Sequence, residues 1–185
     1  MSEIASRGQL RLAFLRWAIV TVPAMLFLGF ASARLAPSGS ANSWYAALEK
    51  PAATPPDWLF PVAWTLIYIL MGIALAIVIN ARGSRWRAAA LVAFALQLIV
   101  NLVWSPVFFG MHRLHLALLL IIAMFVLTAA TTWLFAKVRS GAALLMVPYL
   151  LWIVFAGYLN FAIIQLNPGA DGHLAPGGAT TQITL

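Results

Sequence analysis

LFPVAWTLIYILMGIALAIVI, residues 59–79, runs for 21 residues without a charged side chain. A helix needs about 20 predominantly apolar residues to cross the hydrocarbon core of a bilayer. Four further stretches qualify or nearly do: about Trp17–Ala36, Ala88–Gly110, Leu116–Ala136 and Ala142–Gln165. The breaks at Asn80–Arg87, Met111–His115 and Lys137–Gly141 are short and polar. Links this tight imply antiparallel neighbours, so the fold expected is an all-α membrane protein, a five-transmembrane-helix bundle. The membrane domain would cover residues 17–166, after a basic segment at 1–16 and with a long first loop at 37–58. The tail, 167–185, is rich in Gly, Pro, Thr and Ala and is expected to be disordered. No internal repeat is visible, and an odd number of spans fits poorly with an inverted-repeat transporter.

Composition points the same way. Of the 185 residues 64% are hydrophobic and only 8% charged, whereas soluble chains carry about a quarter charged residues. The formal charge of +7 comes from Lys and Arg scattered over the segments between apolar runs. That distribution speaks for topology and lipid headgroups, not nucleic acid. Arg7, Arg11, Arg16, Arg82, Arg85, Arg87, Lys137 and Arg139 fall on the amino-terminal side; Arg34, Lys50 and Arg113 fall on the other. In a bacterial inner membrane the amino terminus would then be cytoplasmic and the carboxy terminus outside. The first span also reads as a signal peptide, with Ala31-Ser32-Ala33 as a small-residue cleavage site. Leu35 and Ala36 extend the apolar run and favour a retained helix.

Several chemistries are disfavoured. Without cysteine there is no disulfide, iron–sulfur ligation or thiol nucleophile. No ionisable residue lies near the middle of a span, where pumps and proton relays place them. His112 and His115 sit in a loop and His173 in the tail, so no histidine pair can hold a haem iron within the membrane and no buried base is available. The two loop histidines are expected to be solvated, and no metal site is expected.

Aromatic and amide content is the unusual feature. Of eight tryptophans, Trp17, Trp44, Trp86 and Trp133 lie near span ends, where indoles form interfacial belts. The others share helix faces with polar neighbours. Trp64 and Tyr68 are four apart in the second span; Gln97, Asn101 and Trp104 share a face of the third; Tyr149, Trp152, Ala156 and Asn160 share one in the fifth. Amides in hydrocarbon must find partners, so these faces should turn inward. Either Gln97, Asn101 and Asn160 glue helices together, or they join the rings to line a cavity for a flat, mostly apolar ligand with a few polar groups. The first loop favours the cavity. It holds Trp44 and Tyr45 and is stiffened by Pro51, Pro55 and Pro56, and long loops of this kind are often lids. Lys50 is placed to reach an acidic ligand group, or to stay solvated or paired with lipid.

With this loop on view, the chain resembles the tryptophan-rich sensory protein / translocator protein family, TspO/MBR, which includes the peripheral-type benzodiazepine receptor. The resemblance rests on Trp44-Tyr45, Leu48, Lys50-Pro51, Pro55-Pro56-Asp57-Trp58 and Phe60-Pro61-Val62-Ala63-Trp64 with Tyr68. It continues through Gln97-Leu98, Asn101 to Gly110, Val147 to Trp152 and Leu159-Asn160-Phe161. It implies a five-helix bundle, often dimeric, that binds porphyrins such as protoporphyrin IX under the first loop. By residue match Trp64, Tyr68, Asn101, Trp104, Trp152 and Ala156 would line the site, with Trp44, Tyr45 and Pro56 added from the loop. Two departures stand out. Ala53 replaces a Trp common two residues after the Lys-Pro pair. Phe161 and Gln165 replace the Tyr and Arg of an animal cholesterol motif, so sterol recognition is not carried over.

Three functions follow in order of expectation. The first is a porphyrin-binding sensor or regulator of tetrapyrrole level, with the tetrapyrrole as ligand and no cofactor. The second is a light-dependent porphyrin-degrading enzyme in which Trp64 and Trp152 donate electrons. The third is a transporter of porphyrin or other amphiphiles. A homodimer is expected from the family and from Ala89 and Ala93, small residues spaced four apart.

Overall fold

A computed structural model describes residues 7–172. Five helices are long and apolar enough to cross a membrane. They are α1 (Arg7–Arg34), α3 (Leu59–Asn80), α4 (Arg87–Ser105), α5 (Leu114–Val138) and α6 (Ser140–Leu166). The short α2 (Ser43–Ala47) lies in the first loop behind a 3₁₀ turn at Gly39–Ala41, and α4 runs on into a π-helical turn at Pro106–Gly110. The chain is thus an integral, multi-pass, all-helical membrane protein.

The first helix begins ten residues earlier than its apolar run, because basic residues do not end a helix that can emerge into the headgroup layer. At 1.5 Å per residue its 28 residues span about 42 Å, close to the thickness of hydrocarbon plus headgroups. Ser32 and Ala33 lie inside this continuous helix. At the other end of α4, Pro106 cannot donate to the helical ladder. The backbone widens there, with Met111 N–H bonding to the Pro106 carbonyl, and turns Phe108 and Phe109 toward α2.

α5 packs between α4 and α6, while α1 lies along α3, which also meets α6. Glycines set the α1–α3 separation. A Cβ on Gly72 would lie 2.7 Å from the Val22 Cα, and one on Gly29 would fall 2.1 Å from the Tyr68 ring. The Thr21 hydroxyl donates across this seam to the Gly72 carbonyl at 2.7 Å.

The buried side chains form two clusters. The larger fills the bundle around Tyr68, Met71, Met146 and Tyr149. The smaller sits at the lid end, where Trp44, Tyr45 and Leu48 pack on Val107, Phe108, Leu114 and Ile163. Trp104 touches both.

Residues 167–172, the start of the segment expected to be disordered, instead fold back as turns. Ala170 is buried in the lid cluster, and polar groups fasten the segment on both sides. The Asn167 side chain accepts from the Glu49 amide and donates to the Glu49 carbonyl, each at 2.9 Å. Asp171 accepts from the His115 amide at 3.2 Å and pairs with His115 Nδ1 at 3.1 Å, and the Gly172 amide donates to the His112 carbonyl. The remainder of the tail, 173–185 with His173, and residues 1–6 of the basic segment lie outside the described residues.

Asn167→Ala should speed hydrogen exchange at the Glu49 amide about fivefold, the effect of losing about 1 kcal/mol of hydrogen bonding. An unchanged rate would mean that the clasp does not hold the lid. Burial pushes the Asp171 carboxyl up, but the hydrogen bonds and charge of His115 outweigh it and leave the carboxyl below its usual range. Its stabilising contribution is therefore complete above the ordinary carboxylate range and is lost only as pH falls through that depressed value.

Candidate functional site

α3 and α6 face each other through aromatic rings. Trp64 and Tyr68, one turn apart on α3, stack with centroids 5.4 Å apart. Across the gap Trp152 meets Trp64 edge-on at 6.4 Å, and Tyr149 lies 6.3 Å from Trp64. Phe60 closes on Trp152 at 6.0 Å. Trp104 of α4 completes the wall and stacks on Phe108 at 5.1 Å. The space they enclose is bounded by Trp64, Trp104, Ile121, Met124, Trp152, Ile153 and Ala156. Its free interior is only about 10 Å³, room for about one water, whereas sites for drug-sized ligands hold roughly 300–1,000 Å³. A flat macrocycle therefore enters only if rings or helices move apart.

Asn101 is the polar centre of this region. The Tyr68 hydroxyl donates to Asn101 Oδ1 at 3.0 Å, and Asn101 Nδ2 donates to the Tyr149 hydroxyl at 2.8 Å. One buried amide thus ties α3, α4 and α6 together through bonds to two hydroxyls. Gln97, one turn earlier on α4, is 0% exposed, and among the described residues neither its Nε2 nor its Oε1 has a partner. Asn160 donates to the Leu114 carbonyl at 3.0 Å, so it joins α6 to the start of α5. The Trp104 indole N–H is buried without an acceptor among the described residues.

The lid residues form their own layer. Trp44, 2% exposed, stacks on His112 at 4.5 Å and meets Phe108 edge-on. Tyr45 packs against Phe108 and Phe109. The Asn42 side chain caps α2 by accepting from the Tyr45 amide, and donates to the Phe109 carbonyl, so the lid is pinned to the end of α4. Asp57 accepts the Ser40 amide at 2.9 Å, and hydrogen bonding from Ser40 keeps its carboxyl below the usual range.

Of the residues singled out in the sequence, Trp64, Trp104, Trp152 and Ala156 line one space, while Tyr68 stands behind Trp64 and Asn101 bonds to Tyr68. Trp44 and Tyr45 are separated from that space by Phe108, Phe109 and Trp104. Pro56 is exposed and lends its carbonyl to the Leu59 amide. Lys50 is held over the Tyr45 ring and donates to the Leu48 and Ala46 carbonyls, so it caps α2 instead of reaching inward. The two histidines are engaged as well: His112 on Trp44, and His115 with Asp171 in the first turn of α5. Tyr149 is the residue most underrated by its sequence, although its position on one face with Trp152 and Ala156 signals it. Ile153 shares the helical face of Tyr149 and Ala156, whereas Ile121 and Met124 carry no polar or periodic mark that would have found them.

Comparison with known proteins places the chain in a family. Residues 19–166 match the TspO/MBR family. The chain is similar to tryptophan-rich protein TspO of Chlorobaculum tepidum, at 45% identity over 147 residues, 77% of this chain and 90% of that one. It is similar to protein CrtK of Rhodobacter capsulatus, at 43% identity over 131 residues, 70% of this chain and 82% of the relative. The human translocator protein is 35% identical over 137 residues, covering 72% and 80%. A match across all five spanning helices, together with the ring-lined space between them, leads to one conclusion: the chain belongs to the TspO/MBR family.

Proposed function

We propose that this protein binds porphyrin-like tetrapyrroles between α3, α4 and α6 and acts as a sensor or regulator of their level. The observation that carries the reading is the wall of Trp64, Trp104 and Trp152 around one space, with Tyr68 stacked behind Trp64. Such rings offer large, flat, polarisable surface to a macrocycle. The Trp104 N–H, which has no acceptor among the described residues, would supply a donor for one polar ligand group, in the pattern of apolar sites oriented by a few polar atoms. Ligand access would open this space by lifting the layer of Trp44 and Tyr45 and letting Trp64 and Trp152 part.

Titration of the purified protein with protoporphyrin IX in the dark tests this. Saturable quenching of tryptophan fluorescence is expected, weakened about tenfold in Trp152→Leu, which removes one wall. Absence of saturable quenching in the wild type would remove the reading.

A second reading, a light-dependent porphyrin-degrading enzyme, draws on the 6.4 Å approach of Trp64 and Trp152, both within one side-chain layer of the enclosed space. Indoles in van der Waals contact with an excited porphyrin can donate an electron to it, and dioxygen would be the oxidant that carries the porphyrin on to degradation. Illumination of the same sample would then bleach the porphyrin, more slowly in Trp64→Phe, while porphyrin stable in light would leave a binding protein. We also propose a cytoplasmic amino terminus, from the distribution of basic residues, and a homodimer.

A further inference from the structure

The two ends of the bundle differ in charge: among the described residues the lid end sets Glu49, Asp57 and Asp171 against Arg34, Lys50 and Arg113, while the other end carries cations alone. The carboxylates among the described residues, Glu49, Asp57 and Asp171, all belong to the lid end. Arg82, Arg85, Arg87, Lys137 and Arg139 belong to the other end, in the α3–α4 and α5–α6 turns and the helix ends beside them. Among the described residues none of these five pairs with a carboxylate. Two are occupied by backbone: Arg87 Nε donates to the Ile79 carbonyl at 3.0 Å, and Arg139 donates to the Val138 carbonyl at 3.4 Å. Arg85 and Lys137 are held differently. The Arg85 guanidinium lies 5.1 Å over the Trp86 ring and the Lys137 ammonium 5.3 Å over the Trp133 ring. These two indoles meet edge-to-face at 5.7 Å. The result is a single cluster, built from the α3–α4 turn and the end of α5, in which a paired indole carries a cation on each ring.

This arrangement has the chemistry of an anion seat. Ring contact pins both cations without using their N–H groups, so neither has to be ordered afresh when an anion arrives. An open recess lies beside Arg85 and Trp86. Trp133 is 53% exposed, and the outward faces that lead from it toward the bilayer centre are apolar, with Val92, Leu96, Phe125 and Val126 exposed. An anion that fits such a place carries its own hydrocarbon. We infer that Arg85, Trp86, Trp133 and Lys137 form a binding site for the phosphate headgroup of an acidic phospholipid whose acyl chains lie along α4 and α5. The site is at the opposite end of the bundle from the lid, and it stands whether or not the tetrapyrrole reading does.

Native mass spectrometry of the full chain, in micelles containing equal amounts of dioleoyl phosphatidylglycerol and dioleoyl phosphatidylcholine, tests it. The wild type is expected to retain phosphatidylglycerol preferentially. Direct contact of Arg85 and Lys137 with the headgroup is expected to give about a fivefold preference each, the scale of one cation at an anionic surface, so R85Q combined with K137Q should lower the ratio of the two adducts by about 25-fold. R82Q combined with R139Q removes the same charge from the same end but leaves the two ring-held cations in place, and it should change the ratio by less than about threefold. Equal loss in the two double variants would overturn the site in favour of a diffuse field, and so would a wild type with no preference. Displacement of phosphatidylglycerol by inorganic phosphate, but not by chloride of equal ionic strength, would reassign the seat to a soluble anion and overturn the lipid assignment.

Discussion

Gly72→Ala is expected to destabilise the protein by about 2 kcal/mol, although alanine is the better helix former by roughly 1 kcal/mol. The new Cβ would lie 2.7 Å from the Val22 Cα and 3.0 Å from the Val22 nitrogen. Those are backbone atoms and cannot rotate away, so α1 must move off α3 as a body. Packing between helices in a bilayer depends on close van der Waals contact, because lipid tails are as apolar as the side chains they replace. A gap of 0.5–1 Å forfeits a quarter to a half of each contact along the seam. The Thr21 hydroxyl bond to the Gly72 carbonyl stretches at the same time. Overpacking of this kind costs about 1–3 kcal/mol and outweighs the gain in propensity. Gly157→Ala provides the contrast: its nearest atom is Ile121 Cγ2 at 3.2 Å, a side-chain methyl that can give way, and the variant should be nearly neutral. Unfolding of both variants by sodium dodecyl sulfate in micelles measures the difference. If Gly72→Ala were as stable as the wild type, the α1–α3 approach would be looser than its geometry indicates.

Asn101→Leu is the second large effect and bears directly on the site. Leucine keeps the branched shape and the number of side-chain heavy atoms but is bulkier, so the loss is chiefly polar with some overpacking. The Tyr68 hydroxyl loses its acceptor at 3.0 Å and the Tyr149 hydroxyl loses its donor at 2.8 Å. An unsatisfied buried group costs about 1–3 kcal/mol in a water-soluble protein. Hydrogen bonds between membrane helices average nearer 0.6 kcal/mol, because the unfolded chain in lipid also finds partners. Two such bonds then give an expected loss of about 1–3 kcal/mol. Tyr68 also stacks on Trp64, so its release loosens the wall of the site, and protoporphyrin IX should bind about tenfold more weakly. The two readouts separate the roles that the amide can have. Lower stability with unchanged binding would make Asn101 a structural bridge alone. Weaker binding at unchanged stability would place it against the ligand.

The five spans and their order were legible in the sequence because hydropathy and the 3.6-residue period are local properties. Residues 59–79 contain everything needed to recognise a crossing helix, and Trp64 with Tyr68 must share a face wherever that helix lies. The inward direction of the amide-bearing faces was legible too, since an amide cannot be left to lipid. What those faces would meet depended on contacts between distant residues. No spacing tells whether Asn101 bonds the Tyr68 and Tyr149 hydroxyls or a ligand, or that Asn160 instead reaches the Leu114 carbonyl. Gln97, on the same face as Asn101, ends with both amide atoms unpaired among the described residues, which the pattern alone could not distinguish. Periodicity also failed for α5, whose apolar residues surround it on all sides, so Ile121 and Met124 showed no sign of facing the site. The lid needed the tertiary structure most. Trp44 and Tyr45 belong to a layer of their own on Phe108 because the π turn after Pro106 aims that ring outward, and residues 167–172 are ordered because Asn167 and Asp171 find Glu49 and His115, both far away in the chain. Local chemistry determined which segments cross the bilayer and which side chains turn inward; the partners that they meet there were decided by helix packing, which brings together groups that no local pattern links.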